Sequence, residues 1–190
     1  LQPGQRETLG AAAGIFPAVE LDVMIYGCTS GTIANGADSI TRLIRDVRPE
    51  AEVTTPATAA IAAFKHLGVR RISLLTPYIK ELNVEVLQYF EQHGLEVLSL
   101  TGLDFDDDVA ISGIAGEDLF QVASTAVAAG SEALFLSCTA LRTASVIDRL
   151  EQKLGIPVVS SNLALAWHSS YLTNSQAPMG GTGCLMAAEP

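Results

Sequence analysis

Two thiols, Cys28 and Cys138, stand in the same local setting. Each closes an apolar run and is followed by hydroxyl residues, Thr29 and Ser30 after the first and Thr139 after the second. A thiolate is a strong nucleophile, and a thiol and thiolate together can exchange a proton with carbon. Hydroxyls and free N–H groups where a strand gives way to a helix suit a substrate carboxylate, and can take up charge as a proton leaves the adjacent carbon. The bland alternative is a small buried hydrophobe at a strand end. That reading is adopted for Cys184, whereas the duplication argues for Cys28 and Cys138 as a catalytic pair.

The elements that must position these residues follow from the apolar pattern. Short runs rich in Val, Ile and Leu alternate with amphipathic stretches, the signature of parallel strands covered by helices, so the class is α/β. Strands are expected at Asp22–Tyr26, Glu52–Thr55, Arg71–Thr76, Glu96–Leu100, Glu132–Ser137 and Ile156–Ser160. Helices are expected at Thr32–Val47, Ala57–Leu67, Lys80–His93, Glu117–Ala129, Ala144–Leu154 and Leu163–Tyr171, several closed by glycine. The Leu21–Thr29 segment aligns with Glu132–Thr139, and each is followed by a helix and a strand that breaks at hydroxyls. Cys28 to Thr55 spans 27 positions and Cys138 to Ser161 spans 23. This internal repeat predicts two equivalent βαβ units facing each other across a pseudo-two-fold axis, with one thiol on each face of a flat, carboxylate-stabilised carbanion. In an open parallel sheet the ligand site lies beyond the carboxyl ends of the strands, where both Cys-Thr pairs fall.

Composition narrows the chemistry further. With 21 acidic against 11 basic residues the formal net charge is -10, which disfavours a nucleic-acid partner. No apolar run approaches the roughly 20 residues of a membrane span, and a soluble, cytoplasmic protein is expected. The three cysteines fit neither a disulfide framework nor a zinc site, and His66, His93 and His168 form no H-x-x-x-H pair, so no metal site is expected. Thr101–Asp108, with Asp104, Asp106, Asp107 and Asp108, reads as an irregular, solvated acidic connection without the pattern of a calcium loop. The tail Gly180–Leu185 reads as a closing turn rather than a phosphate loop.

The segment Tyr26-Gly27-Cys28-Thr29-Ser30-Gly31-Thr32, with Leu75-Thr76-Pro77-Tyr78, Leu136-Ser137-Cys138-Thr139 and Ser160-Ser161-Asn162, resembles the aspartate/glutamate racemase superfamily. Within it, the resemblance is greatest to the maleate cis-trans isomerase and arylmalonate decarboxylase branch. The stretches Cys138–Thr143 and Ser161–His168 look especially like the ectoine-utilisation proteins of that branch. The resemblance implies two Rossmann-like lobes with the site between them, and no cofactor. It also implies that Cys28 and Cys138 are the catalytic thiols, that Thr29, Ser30 and Thr139 hold a substrate carboxylate, that the Tyr78 hydroxyl assists, and that Asn162 lies near the pocket. From the residues alone, Tyr78 reads equally well as an aromatic capping the core at a helix start. The first lobe is expected to comprise residues 1–68 plus 163–190, and the second 69–162. Nothing before Leu21 resembles the strand with which family members begin. Gln5–Ala18 reads as a helix or short connection, so the first lobe is expected to lack one strand and one substrate contact.

The function expected is cofactor-independent racemisation or isomerisation of a small carboxylate compound by two opposed thiols. A maleate-type isomerase would instead use Cys28 as nucleophile and Cys138 as proton donor. A decarboxylase needs one thiol, and a non-catalytic regulator would keep the carboxylate site without turnover. Arg142, at a helix start, reads as solvated surface. A homo-oligomer is expected.

Overall fold

The computed structural model describes residues 3–17, 19–175 and 183–187. Six strands, all parallel, fall into two sheets among these residues. β1 (Val23–Ile25) pairs with β2 (Glu52–Thr54), and a four-stranded sheet has the order β4-β3-β5-β6, from β3 (Arg71–Tyr78), β4 (Glu96–Phe105), β5 (Ala133–Leu136) and β6 (Val158–Ser160). The fold is thus mixed α/β with two parallel-sheet lobes.

The four-stranded sheet carries most of the core. β3 is flanked by β4 and β5 and is buried from Ile72 to Tyr78, with Ile72, Leu74 and Leu75 supplying its apolar contacts and the buried Ser73 and Thr76 hydroxyls satisfied by hydrogen bonds. Its register places Ile72 opposite Ala133 and Leu75 opposite Leu136, while Leu136 in turn faces Ser160 of β6. Phe135 packs edge-on against Phe64 and Phe90, with ring centroids 5.8 and 5.2 Å away, joining β5 to two helices. A smaller core of Ala13, Met24, Ile40, Ile44 and Ala51 lies under the two-stranded sheet.

The helices close these layers. α1 (Pro3–Gly14) packs on α3 (Ala37–Arg45), so the N-terminal stretch is helical. α4 (Pro56–His66) starts at a capping box in which Thr55 and Thr58 each satisfy the other's backbone N–H, with Pro56 at the first helical position. α5 (Lys80–Gln92) follows the inner strand β3, α7 (Gly116–Thr125) comes after the edge strand β4, and α8 (Ile147–Leu154) ends at Gly155 in the left-handed conformation, φ +69°. α9 (Ser161–Leu172), capped by the Ser160 hydroxyl, leaves β6 and packs along α4 and against β1 and β2, tying the sheets together.

Several expectations are corrected. The single helix expected over Thr32–Val47 is two, α2 (Thr29–Asn35) and α3, because Gly36 at φ +80° ends one and begins the next. The acidic stretch is not an irregular connection. β4 continues through Thr101–Phe105, where residues alternate between partly buried and exposed, and Asp107 then caps α6 (Asp108–Gly113) by accepting from the Val109 and Ala110 N–H groups. α8 begins three residues later than expected, since residues 139–146 form a turn-rich loop. Of the tail, Gly183–Ala187 forms a short helix, α10, while Gly180, Gly181 and Thr182 lie outside the described residues. Cys184 is exposed rather than buried, and Leu185 beside it fills the core.

Candidate active site

Because every strand is parallel, the carboxyl ends of β1, β2, β5 and β6 carry the two cysteine motifs and their partners. Cys28 caps α2: its sulfur accepts from the Gly31 N–H at 3.2 Å and lies 3.6 Å from the Ser30 hydroxyl. Those donors stand where the charge of a thiolate would lie. The thiol is only part-buried, so a reactant can reach it.

Cys138 has a different setting. Only 6 % exposed, it has a backbone φ of +118°, a conformation that costs a non-glycine residue on the order of 1–3 kcal/mol and persists only where the surroundings impose it. Burial pushes its thiol above the ordinary range. Asp108 adds to that rise, and the Ala140 and Leu141 N–H groups and the Tyr78 hydroxyl oppose it. At neutral pH Cys138 is therefore a thiol able to give a proton.

Ser161 ties the two motifs together. Its hydroxyl lies 2.9 Å from the Thr29 hydroxyl and accepts from the Cys138 N–H at 3.0 Å, all three groups being buried. A second tie runs from the Thr139 hydroxyl, which donates to the Gly27 carbonyl at 2.9 Å. Asn162 donates to the Thr139 carbonyl at 3.0 Å, so it braces the loop after Cys138.

Two buried hydroxyls at this junction, Tyr78 Oη and Ser137 Oγ, meet no partner in good hydrogen-bond geometry. Burial, and then the neighbouring Cys138, raise the Tyr78 phenol far above its ordinary value, and Ser137, Cys138 and Thr29 stand close enough to bias it. Tyr78 is thus a protonated phenol whose hydroxyl is not committed to any one acceptor. Buried groups of this kind are rare in proteins and fit a site that awaits an anion.

Of the seven residues singled out from sequence, Thr29, Tyr78, Cys138, Thr139 and Asn162 are linked by contacts at this junction, and Cys28 and Ser30 adjoin it on the first-motif side through Thr29. Ser161 and Ser137 were missed as site residues. Both lie within motifs that mark the site, but a serine at a strand end carries no signal of which neighbour it will meet across the lobes. Beside the second motif a cleft of about 770 Å³ opens, bounded by Thr139 and Asn162 on the site's side and lined further by Arg142, Thr143 and Met186. The cysteines lie outside it. Arg142 is exposed, its guanidinium 3.4 Å from the Ile114 carbonyl. Among the described residues no His, Cys, Asp and Glu cluster could hold a metal ion, and no helix is long and apolar enough to cross a membrane.

Two parallel-sheet lobes of this kind define a class of α/β proteins related to aspartate/glutamate racemases. The chain belongs to the arylmalonate decarboxylase family, which it matches over residues 22–186. It is 29% identical to a maleate isomerase of Alcaligenes faecalis over 149 residues, 74% of this chain and 59% of that enzyme. It thus spans under two thirds of that relative's length. A maleate isomerase of Nocardia farcinica is 25% identical over 170 residues, 85% of this chain and 67% of that protein. A structure of that isomerase with a covalently bound succinylcysteine intermediate superposes with a TM-score of 0.87, at 20% identity, over 98% of this chain and 78% of its own. A mutant arylmalonate decarboxylase in liganded form superposes with a TM-score of 0.87 at 27% identity, covering 95% and 79% of the two chains.

Proposed function

We propose that this chain is a cofactor-independent isomerase of a small carboxylate compound, and that its reaction is cis-trans isomerisation of the maleate type. The observation that carries this reading is the asymmetry of the paired thiols: Cys28 is accessible and met by an N–H donor, while Cys138 is buried and held protonated. Unlike environments for two like groups assign one as nucleophile and the other as acid. On this reading residues 1–68 plus 163–190 deliver Cys28, and 69–162 deliver Cys138.

The reaction balances on these groups. The Cys28 thiolate adds to one alkene carbon, and the electron pair of the double bond moves to the other, stabilised by its carboxylate. The Cys138 thiol protonates that carbon, giving a succinyl thioether. Rotation about the new single bond, return of the proton to Cys138 and expulsion of Cys28 release the trans isomer. Thr29, Ser30, Thr139 and Tyr78 hold the carboxylate and its developing charge. The succinylcysteine of the Nocardia isomerase is an adduct of this composition, and the Alcaligenes relative supports the same chemistry.

Racemisation of an amino acid is a second reading, favoured by the duplicated Cys-Thr motif at equivalent strand ends. Proton NMR in deuterated water separates the two. Fumarate formed from maleate supports isomerisation, and deuterium at an inverted α-carbon supports racemisation. Cys28→Ala should abolish turnover, and Cys138→Ala should lower kcat by about 10²- to 10⁴-fold, the usual contribution of a proton donor. Full activity in either variant overturns the paired-thiol mechanism, and binding of both compounds without turnover overturns catalysis.

A further inference from the structure

Tyr26 lies at the end of β1, two residues before the nucleophile, and the mechanism above gives it no part. The chain between them is tightly folded, with the Cys28 N–H donating to the Tyr26 carbonyl at 3.0 Å. The Tyr26 N–H donates to the Thr54 carbonyl at 3.0 Å, and its ring packs against the smaller core, so the side chain is anchored at its base. Its tip and the sulfur border the same space over Gly31. A Cβ placed on Gly31 would lie 2.5 Å from Tyr26 Oη and 3.0 Å from Cys28 Sγ, so both atoms converge on the one point that the absence of a side chain at Gly31 leaves open. Gly31 has no left-handed φ to account for it. Its N–H is also the backbone donor to the Cys28 sulfur.

Granting Cys28 the role of nucleophile proposed above, we infer that Tyr26 is a positioning residue for it: its hydroxyl donates to the Cys28 thiolate, and Gly31 is a glycine so that the two can meet. Burial and the neighbouring Cys28 both raise the Tyr26 phenol, which keeps it a donor when the thiolate forms. A thiolate held by two donors, a backbone N–H and a phenol, is more populated at neutral pH and aimed into the site, but intrinsically less nucleophilic.

That trade-off supplies a test a purely structural role would not meet. The full chain, its Tyr26→Phe variant and its Gly31→Ala variant are treated with iodoacetamide from pH 6 to 10, and labelling of each cysteine is followed by peptide mass spectrometry, with Cys184 as internal reference. A hydrogen bond to a charged group corresponds to at least about tenfold in thiolate population, roughly half of which, on a logarithmic scale, the freed thiolate regains in nucleophilicity. Tyr26→Phe should therefore slow Cys28 labelling about threefold to tenfold at pH 7. At pH 10 it should label as fast as the parent or faster. Gly31→Ala, which forces Oη and Sγ apart, should shift the profile in the same direction. A Cys28 profile unchanged in Tyr26→Phe, while the parent Cys28 still outruns Cys184, overturns the role of Tyr26 and leaves the proposed function standing. A parent Cys28 no faster than Cys184 overturns the nucleophile assignment and this inference with it.

Discussion

Replacing Ser161 by alanine tests how much one buried hydroxyl contributes to joining the two cysteine motifs. Ser161 is fully buried, and its oxygen serves both the Cys138 N–H at 3.0 Å and the Thr29 hydroxyl at 2.9 Å. Alanine leaves both without that partner, and a buried polar group so orphaned costs about 1–3 kcal/mol. The Thr29 hydroxyl can turn towards Tyr78, whereas the Cys138 N–H cannot turn, so the expected loss is about 2–4 kcal/mol rather than the full double cost. For a chain of this size each kcal/mol moves Tm by about 2–4 °C, which gives a fall of about 4–16 °C by differential scanning calorimetry. Ser145→Ala, at an exposed serine, is the control and should stay within about 0.5 kcal/mol of the parent. Because the same bond fixes the backbone of the strained Cys138, kcat in the proposed isomerisation should fall in Ser161→Ala. A Ser161→Ala variant with the parent's Tm and activity would refute the claim that this hydroxyl joins the motifs.

Two further outcomes follow from ionisation. Cys184 is the most exposed of the three thiols, yet burial of the sulfur and its bond to Glu151 Oε1 at 3.3 Å push it up to about 11. Mass spectrometry should therefore find Cys28 alkylated first at pH 7, and Glu151→Gln should speed Cys184 labelling, while an unchanged Cys184 rate in that variant contradicts the assignment. His168, 2.8 Å from the Thr54 hydroxyl, is held below its ordinary 6.5 by burial. The unfolded chain takes up a proton that the folded chain refuses, so the stability this site contributes is full above pH 6.5 and is lost as pH falls from there towards the folded value. Urea midpoints at pH 7.5 and 5.5 should differ less in His168→Gln than in the parent, and an equal difference would dismiss His168 as a source of acid lability.

The sequence disclosed those features whose causes are local. β3 reads as a buried strand because apolar side chains stand on both of its faces, and the Cys-Thr repeat is visible because both copies end an apolar strand at Cys-Thr. What stayed hidden depends on partners distant in the chain. Leu103 and Phe105 continue β4 with the alternation of a half-buried strand, but Asp104 between them and the three aspartates that follow disguise it as a solvated loop. Gly36 sits inside an otherwise helical pattern, and only its backbone conformation reveals that it separates two helices. Ser161 meets Thr29 across 132 residues, a contact no spacing rule supplies. Cys184 was judged by residue type, which favours burial, whereas its neighbour Leu185 takes the inward direction on α10.

The backbone of Cys138 carries an evolutionary consequence. A residue held at φ +118° would be relaxed by glycine, which alone tolerates that region without cost. Drift towards stability at this position therefore leads to loss of the thiol, and, on the proposed function, a cysteine here endures only while selection for its chemistry outweighs that pull. In a lineage released from that selection, position 138 is where decay into a carboxylate-binding protein without turnover would begin.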